Sequence, residues 1–66
     1  MHTTQLVESG HLPNDSRYKI IRVSGEGRNG AYHVGYDLYV DGEFHAFASD
    51  KHVLQKEEIL KGRKTF

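Results

Sequence analysis

Between residues 17 and 48 the apolar positions fall into three short runs, each bounded by glycine-containing punctuation. Arg17-Tyr18-Lys19-Ile20-Ile21-Arg22-Val23-Ser24 is rich in β-branched and aromatic residues and has a strand's length. It leads into Gly25-Glu26-Gly27-Arg28-Asn29-Gly30, whose Asn-Gly ending is a strong hairpin signal because both turn positions need positive φ. A second strand is expected over residues 31–40. Asp41-Gly42 then marks another turn, and Glu43–Ala48 reads as a third strand.

Two linked hairpins constrain each other, because a one-residue slip moves every side chain to the opposite face. A two-residue turn at Asn29-Gly30 places Ile21 opposite Leu38 and Val23 opposite Tyr36. A three-residue loop, Val40-Asp41-Gly42, then sets Leu38 against Phe44 and Tyr36 against Ala46. Under this register the expected core face carries Ile21, Val23, Val34, Tyr36, Leu38, Phe44, Ala46 and Ala48.

The pattern changes after Ala48. Ser49 or Asp50 is suited to cap a helix, Gly62 suits its exit, and Val53 and Leu60 lie seven apart on one stripe. Glu57 and Lys61 form an i,i+4 pair on its surface. The two alanines of the third strand leave room for this helix to approach the sheet. The expected fold is therefore α+β: a three-stranded antiparallel β-meander packed on one C-terminal α-helix, in the order β-β-β-α. Pro13-Asn14-Asp15-Ser16 separates a flexible N-terminal arm, residues 1–16, from a single domain over residues 17–62. Residues 63–66 form a basic tail.

At 66 residues without cysteine, the chain cannot be stapled by disulfides or a thiolate zinc site, so its core or a second subunit must stabilise it. A homodimer is one expected state. Nine lysines and arginines balance nine aspartates and glutamates, which weakens the case for a dedicated nucleic-acid binder. No secretory leader and no run of eighteen apolar residues is present, so the expectation is a cytoplasmic protein without a membrane partner.

The candidate chemistry is sparse. Gly25-Glu26-Gly27-Arg28-Asn29-Gly30 matches G-x-G-x-x-G, but a strand rather than a helix is expected after it, so no dinucleotide cradle follows. Gln5-Leu6-Val7-Glu8-Ser9-Gly10 resembles the opening of immunoglobulin heavy-chain variable domains over six residues; the paired cysteines of that fold are absent. His2, His11, His33, His45 and His52 form no H-x-x-x-H pair. Ser49, Asp50 and His52 at the helix entrance are explained by capping. No metal, no cofactor and no catalytic group is expected, and the chain is read as a non-enzyme.

The outer sheet face carries more information. There the expected register aligns Arg22, Asp37 and His45 in one row and Ile20 and Tyr39 in the next, with Tyr18 and Phe47 beside them. An exposed aromatic patch crossed by charge is the mark of a binding face. The expected partner-binding set is thus Tyr18, Ile20, Arg22, Asp37, Tyr39, His45 and Phe47. The function it implies is a small interaction module that modulates or inhibits a larger protein partner. His45 opposite Asp37 would make that binding depend on pH. The competing reading is an RNA or single-stranded DNA binder that stacks bases on the same rings, with Arg17, Lys19, Arg28, Lys61, Arg63 and Lys64 as its cations.

Overall fold

Pro13-Asn14-Asp15-Ser16 does not separate an arm from a domain; it closes a hairpin. Asn14 Oδ1 accepts the Ser16 N–H (3.1 Å), Asp15 takes φ 68°, and Leu12 N–H donates to the Ser16 carbonyl (2.7 Å). The chain on either side therefore runs antiparallel. In the computed structural model, which describes residues 2–26, 30 and 32–65, the order is β1 (His2–His11), β2 (Arg17–Glu26), β3 (Tyr32–Val40), β4 (Glu43–Ala48), helix α1 (Lys51–Gln55), a 3-10 turn (Glu58–Leu60) and β5 (Lys64–Thr65). The strands form one antiparallel sheet ordered β4-β3-β2-β1-β5. The three-stranded meander closed by one helix is thereby overturned: the expected arm is β1, the expected tail supplies β5, and the protein is mostly β.

Three local features set the faces of this sheet. Between β1 and β2 the register shifts after Leu6, leaving Val7 as an extra residue. A bulge of this kind moves all later side chains to the other face, so Glu8 stands opposite Ile20 instead of on the outer side. Between β2 and β3, Ile20 pairs with Leu38, Ile21 with Asp37 and Val23 with Gly35. This is one residue away from the expected register, whose turn residue Asn29 lies outside the described residues, and it turns Tyr18 and Ile20 inward and Ile21 and Val23 outward.

Between β3 and β4 the turn holds two residues, not three. Asp41 (φ 52°) and Gly42 (φ 84°) both take the positive φ of a primed hairpin turn, and Val40 pairs with Glu43. A two-residue turn alone would set Leu38 opposite His45 and mix the faces; this is resolved two residues later, where the register shifts and His45 becomes the extra residue. Ala46 and Ala48 still reach the inner face. Phe44 does not; it pairs with Tyr39 on the outer one.

The inner face is closed by the segment that follows β4. Asp50 Oδ1 accepts the His52 N–H (2.9 Å) and caps α1, as its position at the strand-helix junction leads one to expect. The single long helix does not form. After Gln55 the chain becomes extended at Glu57 (φ −59°, ψ 139°) before the 3-10 turn. Leu54 and Leu60, six residues apart, would sit about 120° apart on a continuous helix; breaking it lets both enter the core, while Val53 of the expected stripe stays exposed. The core consists of Leu12, Tyr18, Ile20, Leu38, Leu54 and Leu60, with Tyr36, Val40, Ala46, Ala48 and Ile59 packed against it.

Gly62 (φ 76°) then turns the chain so that Thr65 pairs with Gly10 and Lys64 with His11. A Cβ at Gly10 would overlap the Lys64 carbonyl, so this docking depends on the missing side chain. Gly10→Ala is expected to lower stability by about 1–3 kcal/mol by pushing β5 from the edge. Urea denaturation checks it, and an unchanged midpoint would show that β5 contributes nothing.

Candidate functional site

A five-stranded sheet has two faces, and the described residues cover only one of them. The outer face is laid out in rows by the ladder: Ser9, Lys19, Tyr39 and Phe44 in one; Leu6, Ile21, Asp37 and Phe47 in the next; Thr4, Val23 and Gly35 in the third. Leu6 is 58% exposed, Phe44 59% and Phe47 62%. Their exposure follows from topology, since the chain after β4 crosses the inner side.

The rings are ordered by each other and by a glycine. Tyr39 and Phe44 meet edge-to-face, with centroids 5.9 Å apart and planes at 80°. Lys19 Nζ sits 5.5 Å from the Tyr39 centroid, within cation–π range. Phe47 lies over Gly35, where a Cβ would overlap the ring, so the glycine gives the aromatic a floor to rest on. Beside these, Leu6, Ser9, Arg17, Lys19, Tyr39 and Asp41 line an open cleft of about 440 Å³. Asp41 is held in place there: its Oδ1 accepts the Arg17 N–H (3.0 Å), and that bond, then one from Ser16, keeps the carboxyl below its usual range.

The residues anticipated for partner binding divide sharply. Asp37, Tyr39 and Phe47 share the outer face. Tyr18 and Ile20 are core residues, 2% and 0% exposed, and are removed from it. Arg22 lies on the inner side, between Gln5 and Tyr36 in the ladder. His45 is exposed at the bulge and does not face Asp37, whose partner is Phe47, so the expected pH-sensitive pair is not formed. Leu6, Ile21 and Phe44 were missed, and Lys19 was anticipated only as a cation of the competing reading. For Leu6 the signal was weak: Leu6-Val7 is one aliphatic pair in a polar stretch just before a turn cluster.

The candidate cations also separate. Arg17 pairs in the ladder with His11, and His11 with Lys64, so these two and Lys19 approach one corner of the sheet. Lys61 reaches Glu58 (3.5 Å), and Arg63 turns inward to Glu8; Arg28 lies outside the described residues.

Among the described residues, Glu8 gathers the most concentrated polar chemistry. Its Oε2 accepts from Tyr18 Oη (2.7 Å) and Arg63 Nε (3.1 Å), and its Oε1 from Gln55 Nε2 (2.9 Å). Arg63 Nη1 also reaches the Gln55 carbonyl oxygen (3.4 Å). Burial alone would raise the Glu8 carboxyl, but the three donors and the Arg63 charge outweigh it and hold it below its ordinary value. The same burial, together with the adjacent carboxylate, pushes the Tyr18 phenol up to about 12. Both carboxylate oxygens are occupied, so this cluster is a clasp joining β1, β2, α1 and the segment leading into β5. Among the described residues no group of three His, Cys, Asp or Glu could hold a metal ion, and no buried side-chain nitrogen or oxygen lacks a partner. Among the described residues no helix is long and apolar enough to cross a membrane. Comparison of the chain with protein-family models, curated proteins and solved structures returns no match.

Proposed function

We propose that the protein is a small non-enzymatic interaction module that modulates or inhibits a larger protein partner through its outer sheet face. The observation that carries the reading is the exposure of Leu6, Phe44 and Phe47 on one side of a sheet whose other side holds the whole core. Contiguous exposed apolar side chains rimmed by polar ones mark interaction sites. The molecule measures 42 × 18 × 18 Å, so its broad side is of the order of 800 Å², the footprint of a standard interface on one partner. Lys19 has no carboxylate partner among the described residues. The partner surface it fits is apolar, with room for the two phenylalanine rings and a carboxylate opposite Lys19.

The test is a pull-down with mass spectrometry, followed by calorimetry on the purified partner. Phe44→Ser and Phe47→Ser are each expected to weaken binding about tenfold or more, as buried aromatic anchors do. Lys19→Glu should weaken it too, and Val53→Ser, on the exposed side of α1, should leave it unchanged. Equal affinity of all four variants would overturn the reading.

A second reading is favoured by the approach of Arg17, Lys19, His11 and Lys64 to one corner beside Tyr39: binding of RNA or single-stranded DNA. Asp37 and Asp41 on the same face oppose it. Oligonucleotide affinity that falls steeply as salt rises from low to moderate concentration would support it, whereas the protein interface should respond weakly.

A further inference from the structure

The two edges of the sheet are protected very differently. β4, at one edge, is six residues long, interrupted at His45, charged at Glu43 and flanked by α1, which packs against it. These are the devices that keep a strand edge from pairing with another chain. β1, at the other edge, is ten residues long, and β5 pairs only with its Gly10 and His11. From His2 to Glu8 no described residue pairs with its outward side. Thr3, Thr4, Gln5, Leu6 and Val7 are all exposed and uncharged, with no lysine or proline to block an incoming strand. The one charge in this stretch, Glu8, is turned inward to Tyr18, Gln55 and Arg63.

We propose that two copies of the chain associate by pairing these β1 edges antiparallel about a two-fold axis at Thr4. The run His2–Leu6 is uninterrupted, because the register shift comes only after Leu6. Centred on Thr4, it sets Thr3 opposite Gln5 of the second copy, Thr4 opposite Thr4 and Leu6 opposite His2. Gly10 and His11, already occupied by β5, lie beyond the paired run. Such a contact is self-complementary and closes after two copies. It leaves no unpaired charge in the contact, brings threonines together across strands and faces no net repulsion, since the formal charge of each copy is zero. The product is one continuous ten-stranded sheet in which the outer faces of both copies join. Edge pairing over five residues covers much less than a standard interface, so the dimer is reversible and forms in the micromolar range or above.

This inference stands apart from the outer-face reading, and its test separates them. Sedimentation velocity from low micromolar to near-millimolar protein should show a monomer–dimer equilibrium for the native chain. Thr3→Lys/Gln5→Lys and Thr3→Glu/Gln5→Glu place like charges across the axis on the inner side of β1, so each should stay monomeric, and an equimolar mixture of the two should regain the dimer. Phe44→Ser/Phe47→Ser should dimerise like the native chain. Hydrogen exchange on the native protein gives a check independent of any variant: amide protection over residues 3–6 should rise with concentration. A native chain that remains monomeric throughout overturns the proposal. So does a dimer that survives both charge variants, or one that is lost in the phenylalanine variant.

Discussion

Ile20→Ala is expected to lower the unfolding free energy by about 2–4 kcal/mol, and its neighbour Ile21→Ala by about 1 kcal/mol or less. The side chains are identical and adjacent, so the difference measures which face of β2 is buried. Ile20 is fully buried opposite Leu38, where removing three carbons leaves a cavity that the surrounding leucines cannot all close. Ile21 stands opposite Asp37 on the uncovered face and loses only partial contact. For a chain of this length total stability is of the order of 3–10 kcal/mol, so Ile20→Ala removes a large share of it. Urea midpoints at unchanged slope are the measurement. A larger loss for Ile21→Ala would move the register by one residue and return Tyr18 and Ile20 to the outer face.

Glu8→Ala is expected to cost about 3 kcal/mol, because it leaves Arg63, Tyr18 and Gln55 without their shared acceptor in a largely enclosed place. The same clasp gives the protein two limits in pH. The Glu8 carboxyl is lower in the folded chain than in the unfolded one, so its contribution is present above the ordinary glutamate range, near about 4.3, and is lost as pH falls through the folded value. Tyr18 behaves in the opposite sense. Its phenol rises from 10.0 to about 12 on folding, so its contribution is complete below pH 10 and disappears between 10 and about 12. At about 1.4 kcal/mol per unit this alkaline loss is of the order of 2–3 kcal/mol. Tyr18→Phe should remove it and weaken the acid limb as well, because the Tyr18 hydrogen bond is the strongest of those that hold the Glu8 carboxyl down against burial, and denaturation midpoints from pH 3 to 11.5 would show whether both limbs belong to this cluster. An alkaline limb retained in Tyr18→Phe would assign it elsewhere.

Punctuation was legible in the sequence. The turn at Asp41-Gly42, the strand Glu43–Ala48 and the cap at Asp50 each rest on a local property: a tolerance for positive φ, alternation, or a side-chain oxygen near free amides; Gly62 has positive φ too, but it turns the chain into β5 and does not end the long helix that was expected. The approach of the helical segment to the two alanines was readable for the same reason. β1 was not. Its composition is polar and its apolar content is two residues, so only the turn that follows it, with β2 already in place, makes it a strand. Of the candidate site, Asp37, Tyr39 and Phe47 were legible, while Tyr18 and Ile20 were assigned to the wrong face with the rest of β2.

By itself, the sequence determined the turns at Pro13-Asn14-Asp15-Ser16 and Asp41-Gly42 and that β2, β3 and β4 are extended, because these depend on residues a few positions apart. Which side of each strand meets the core was decided only by the tertiary structure. Facing is a matter of parity, and parity was decided at Val7, at His45 and in the pairing of β2 with β3 by single-residue shifts that leave alternation on either side intact. Leu54 and Leu60 settle the outcome by covering one face, and the face they leave bare, with Leu6, Lys19, Tyr39, Phe44 and Phe47, is the one proposed to bind.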